Sequence, residues 1–172
     1  MRKLVKESLL DENNNIVYVI LGNNNTMLPP KKHRNFQECF ENALLEYRDW
    51  KSDGYNVKYI LGEMYSQTDP YPIQHAWILL NNKIIDSTLF LKTGDIYGET
   101  IPAIEHAQVA YLWRGPMAKQ TYYMGMEISE EQLKDSFKKG KRDVEKPDVD
   151  IDFWKTLRNS DKYKQARNKI DK

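Results

Sequence analysis

Cys39 is the single cysteine in 172 residues, so any thiol chemistry in this chain falls on it. A thiol attacks as its thiolate, and a free cysteine with a pKa of roughly 8.5 needs help at neutral pH. A helix N-terminus supplies positive potential over its first turn, and an imidazole supplies more by taking the proton. The imidazole in turn needs a carboxylate or amide to fix its tautomer. His75 opens the stretch His-Ala-Trp-Ile-Leu-Leu, and Asp86 lies in Ile-Ile-Asp-Ser-Thr, both after Cys39 in the chain. The three are candidates for nucleophile, base and orienting acid. Each also has a plainer reading. Cysteine on an apolar stripe packs well in a core. A histidine beside Trp77 suits a hydrogen-bonded structural role, and an acid before Ser-Thr suits a turn cap.

The elements that must position these residues follow from pattern. Asn35 is a preferred N-cap, and Glu38 three residues on completes a capping-box-like pair. A helix is predicted over 35–51, with Phe36, Cys39, Phe40, Ala43, Leu44, Tyr47 and Trp50 as one apolar stripe. Cys39 then lies about one turn in, where the helix potential is fading. Strands are predicted over 57–65, 75–80, 83–87 and 122–128. In the first, Val57, Tyr59 and Leu61 share one face, with Ile60 and Met64 on the other. If the chain turns at Asn81-Asn82, residue 75 faces residue 88. Asp86 is then a diagonal neighbour of His75 on the same face, about 7 Å away. Trp77 and Leu79 share that face and are expected to lie against the Cys39 helix.

Around this centre, 2–10 and 16–22 read as a hairpin, and Pro29-Pro30 stops any further strand. The period of 108–113 fits either a strand or a helix. Ser129-Glu-Glu-Gln132 is a capping-box signature for a helix running to about Lys139 and closed by Gly140. A charged linker over 141–150 precedes a last helix over 153–170.

Composition narrows the function classes. The hydrophobic share of 40% and charged share of 30% suit a folded soluble chain. The length suits one domain, with a core over 1–128 and a helical extension over 129–172. A net charge of +1 gives no general pull toward nucleic acid or an anionic membrane, and Lys31 to Arg34 is too short a basic run to reverse that. No apolar run approaches the roughly 20 residues of a membrane span, and no signal peptide is evident, so a cytoplasmic location is expected. A lone cysteine excludes an intramolecular disulfide and a multi-thiolate zinc site. The three histidines, His33, His75 and His106, are far apart in sequence, so neither a metal nor another cofactor is expected. Glu63 reads either as a carboxylate facing the cleft or as a solvated strand residue. Trp77 and Glu63 are the candidates for substrate contact.

The blocks Cys-Phe-Glu-Asn-Ala, Tyr-Ile-Leu-Gly-Glu, His-Ala-Trp, Asp-Ser-Thr and Tyr-Tyr-Met-Gly-Met resemble the core of papain-like and transglutaminase-like cysteine proteins. The similarity is nearest to a group of small Cys-His-Asp proteins and covers roughly residues 35–128. The resemblance implies an α+β, papain-like fold: an antiparallel sheet packed by the Cys39 helix, with a C-terminal helical appendage. It implies a hydrolase or acyltransferase working at an amide, ester or thioester, with Cys39 as nucleophile, His75 as base and Asp86 as orienter. A peptide or acyl substrate would be its partner. Ser87 departs from the proline that commonly follows the acid. Gln37 is the nearest counterpart of the papain-type oxyanion glutamine, but on a helix it points about 200° away from Cys39. The backbone N–H of Cys39 is the other donor for an oxyanion. The contrasting expectation is a non-catalytic binding or inhibitor protein on the same scaffold, meeting a protein partner through its aromatic surface and C-terminal helix.

Overall fold

The structure, a computed structural model, describes residues 16–23, 25–31, 38–66, 71–88, 121–138 and 147–171. In chain order the elements are β1 (Val17–Leu21), β2 (Met27–Leu28), α1 (Cys39–Ser52), β3 (Lys58–Ser66), β4 (Ile73–Leu80), β5 (Lys83–Ile85), β6 (Thr121–Ile128), α2 (Glu130–Lys138), α3 (Ile151–Asn159) and α4 (Asp161–Asp171). The fold is α+β. The strands form one curled sheet in the order β1-β6-β3-β4-β5-β2.

The expected all-antiparallel sheet needs one correction. β2 pairs with β5 in parallel, through Met27 opposite Ile84 and Leu28 opposite Ile85. Two residues carry no readable period, and Pro29 cannot donate to a ladder, so β2 stays short and left no pattern to read. The other pairings are antiparallel. Asn81 and Asn82 have φ of +52° and +62°, the left-handed pair that joins β4 to β5 in a tight hairpin turn.

Alternation along β3 and β4 divides the sheet into two faces. Tyr59, Leu61, Ala76 and Ile78 pack with Ala43, Leu44 and Tyr47 of α1. Ile60, Trp77, Leu79, Ile84 and Tyr123 pack together on the other face. The division on β3 is the expected one. On β4 the expectation is reversed, because Trp77 and Leu79 lie opposite α1. The small Ala76 lets the helix approach, whereas the Trp77 ring needs the space left by Gly125 across the sheet.

The α1 side also receives the C-terminal helices. Leu157, Tyr163, Ala166 and Ile170 pack with Val17, Tyr65, Met124 and Met126. The single last helix expected over 153–170 is two helices, broken where Ser160 is extended at φ −66° and ψ 143°. The break has its own cap, since the Tyr163 N–H donates to Ser160 Oγ at 3.2 Å. α2 starts as predicted, with Gln132 N–H on Ser129 Oγ at 3.3 Å and Ser129 N–H on Gln132 Oε1 at 3.2 Å. The readings at 2–10, 108–113, Gly140 and 141–146 lie outside the described residues.

Candidate functional site

The site begins with the β4–β5 register. Leu80 faces Lys83, Leu79 faces Ile84 and Ile78 faces Ile85, the pairing that the Asn81-Asn82 turn predicted. The hairpin pairing ends at Ile85, one residue short of Asp86. Its continuation still brings Asp86 diagonally to His75, and His75 Nε2 lies 2.7 Å from Asp86 Oδ2. The same oxygen accepts from the Tyr123 hydroxyl at 2.9 Å, and Oδ1 accepts from the Thr88 N–H at 3.1 Å. His75 and Asp86 are 3% and 2% exposed, so this pair works out of bulk water. The imidazole sits between Trp77, stacked at 6.1 Å, and Tyr123, tilted at 6.1 Å.

Cys39 meets this pair from α1. The expected helix start at Asn35 lies outside the described residues, and Glu38 has non-helical φ and ψ of −118° and 48°. The first helical bond runs from Asn42 N–H to Glu38 O. Cys39 is therefore the first helical residue, not one turn in. That correction matters for its chemistry, because the first-turn N–H groups have no intrahelical acceptors and the positive end of the helix is strongest there. Cys39 is half-buried and unbridged, and it is one of the neighbours that raise the His75 pKa. Nε2 is taken by Asp86, which leaves Nδ1 for the thiol. Tyr59 and Asn42 hold the same helical turn. The Tyr59 hydroxyl donates to the Phe40 carbonyl at 3.2 Å, and Asn42 Nδ2 donates to Thr88 Oγ1 at 3.0 Å.

The electrostatics follow from burial and neighbours. Burial pushes the His75 imidazole down, but the charge and hydrogen bond of Asp86, then those of Cys39, outweigh it and push its pKa up to about 10. Burial, reinforced by Asp86, holds the Tyr123 phenol far above its ordinary range, so it stays a donor. Burial and the Cys39 charge do the same for Tyr59.

The remaining candidates fare differently. Gln37 lies outside the described residues, as do His33 and His106. Glu63, read as a cleft or solvated carboxylate, is buried. It accepts from Arg158 Nε at 2.7 Å and from the Tyr163 hydroxyl at 3.2 Å, so it anchors the C-terminal helices. Trp77 is 1% exposed and supports the imidazole face. Among the described residues no group of three His, Cys, Asp or Glu could hold a metal. A cleft of about 490 Å³ lies elsewhere, lined by Met126, Ile128, Val149 and Phe153 with Glu127, Gln132, Asp148 and Asp150.

Sequence reasoning missed Tyr123, Tyr59, Asn42 and Thr88. All four stood within the recognised blocks, and Asn42 is three residues from Cys39, the spacing that puts two helical side chains together. Beyond that, Tyr123 and Tyr59 carried only an ordinary strand signal. No helix among the described residues is long and apolar enough to cross a membrane. Comparison with family models, curated proteins and solved structures returned no match.

Proposed function

We propose that this protein is a cysteine-dependent hydrolase or acyltransferase of the papain-like and transglutaminase-like kind. It acts at the carbonyl of an amide, ester or thioester. The observation that carries this reading is the buried His75 Nε2–Asp86 Oδ2 pair at 2.7 Å, with Cys39 among the groups that raise the His75 pKa and at the first residue of a helix. An environment that keeps His75 protonated is one that favours a thiolate beside it.

The steps follow from that arrangement. Cys39 gives its proton to His75 Nδ1, and the sulfur forms a bond to the carbonyl carbon. The carbonyl oxygen takes the electron pair and is met by N–H groups at the helix end, that of Cys39 first. On collapse, the bond to the leaving nitrogen, oxygen or sulfur breaks, and His75 returns the proton to it. Water or an amine, deprotonated by His75, then attacks the thioester, and Cys39 leaves as the thiolate. Asp86 holds the imidazole orientation throughout.

A second reading, a binding protein on the same scaffold, draws support from the cleft lined by Met126, Asp148 and Phe153, none of which belongs to the triad. Alkylation of Cys39 by iodoacetamide across pH separates the two. A catalytic thiol shows an apparent pKa well below the free value of roughly 8.5, rising toward it in His75→Ala. A Cys39 that reacts only after denaturation would sink the enzyme reading and leave the binding one.

A further inference from the structure

We infer that Asn42 and Thr88 form a strut that sets the distance between the Cys39 thiol and the His75 imidazole, making both of them positioning residues. The inference rests on the reading of Cys39 as a nucleophile paired with His75. Cys39 and Asn42 are three residues apart at the start of α1, so their side chains leave the same turn side by side. Asn42 reaches Thr88, and Cys39 is among the groups that raise the His75 pKa. Thr88 returns to the acid through its own N–H, which donates to Asp86 Oδ1 at 3.1 Å, and Asp86 Oδ2 is on His75 at 2.7 Å. The hydrogen bonds therefore run in one line from α1 through Asn42, Thr88 and Asp86 to His75.

The line explains why an amide and a hydroxyl stand here. Asn42 and Thr88 are 2% and 3% exposed, and their bond joins two buried polar groups where water is excluded. Among the described residues α1 packs chiefly on β4. The Asn42–Thr88 bond ties it to the segment after β5 at the end of the helix where the thiol sits. A thiol held by α1 and a base held by the hairpin would otherwise depend on packing alone for their separation, and a displacement of about 1 Å is enough to cost on the order of a hundredfold in rate.

The test is the pH profile of Cys39 alkylation by iodoacetamide in wild type, His75→Ala, Thr88→Val, Thr88→Ser and Asn42→Ala, with thermal unfolding of each. Thr88→Val keeps the shape and removes the hydroxyl. Its alkylation profile is expected to move toward that of His75→Ala, with alkylation at neutral pH slowed about tenfold. Thr88→Ser restores the wild-type profile. Asn42→Ala gives the same change, and the double variant Asn42→Ala/Thr88→Val adds nothing further, as two ends of one bond should. A profile unmoved in Thr88→Val and Asn42→Ala, with only the unfolding temperature lowered, would overturn the strut while leaving the nucleophile reading intact. A wild-type thiol with no His75-dependent depression would overturn both. Should Thr88→Val not fold, Asn42→Ala is judged by the same displacement.

Discussion

Asp86 accepts from an imidazole, a phenol and a backbone amide, and it does so where almost no water reaches. An ionised carboxylate in such a place is tolerated because donors surround it. His75 bears the consequence, with its pKa pushed up from 6.5 to about 10. A folded-state pKa above the unfolded one means the native protein holds that proton more tightly. The resulting stability is complete below pH about 6.5 and is lost as pH rises through about 10, each unit being worth about 1.4 kcal/mol. Urea denaturation of wild type and His75→Gln should therefore show a stability gap that narrows from pH 6.5 to pH 10. A gap that stays constant over this range would show that His75 is not the charged partner of Asp86.

At the scale of elements, the site depends on how closely β3 and β6 approach. Gly62 faces His75 on one side and Gly125 on the other. A Cβ on Gly62 would lie 2.0 Å from the Met124 carbonyl oxygen and 2.5 Å from the Gly125 Cα, both backbone atoms that cannot step aside. On Gly125 it would meet the Ile60 side chain at 2.6 Å and the Trp77 ring at 2.9 Å. The glycine pair lets the sheet curl and leaves the Trp77 ring its place beside His75. Gly62→Ala should cost more than the roughly 1–3 kcal/mol usual for an overfilled core, because main chain must move. Thermal unfolding by circular dichroism checks this, and a loss under 1 kcal/mol would mean that the strands are not so tightly apposed. The hairpin that carries the base and the acid is simpler. Two asparagines with positive φ set its turn, and the turn sets the register.

Across the whole molecule, one sheet face receives both α1 and the C-terminal helices, with Phe153 and Trp154 in contact with both sets of side chains. The helical tail is thus part of the core. Leu157 is fully buried among Tyr65, Met124 and Met126, and the Glu63 carboxylate is buried with Arg158 and Tyr163 as its partners. Leu157→Ala should destabilise the protein by about 2–5 kcal/mol in chemical denaturation, the range for removing a buried leucine side chain. A change below 1 kcal/mol would mean that α3 and α4 are peripheral. Tyr65 adds a further tie, its hydroxyl bonding the Asp171 carboxylate while Arg167 lies over its ring.

Much of this was legible in the sequence, and the reasons are local. The Asn81-Asn82 turn carries its own φ preference, so it fixed the β4–β5 register and brought His75 diagonally to Asp86 before any tertiary contact was known. Alternation marked the two faces of β3, and Ser129 with Gln132 marked the start of α2. Each signal lies within a few residues of the feature it specifies. Local signals could not say which face of β4 α1 covers, since both faces are apolar and the choice rests on Ala76 against Trp77 across the sheet. They also missed that Ser160 breaks the last helix, because a serine can sit within a helix or cap one. Giving Asp86 a second side-chain donor in Tyr123 and tying Asn42 to Thr88 depended on residues 37 and 46 positions apart in the chain. Only packing brings such residues together, so only the tertiary structure decided them.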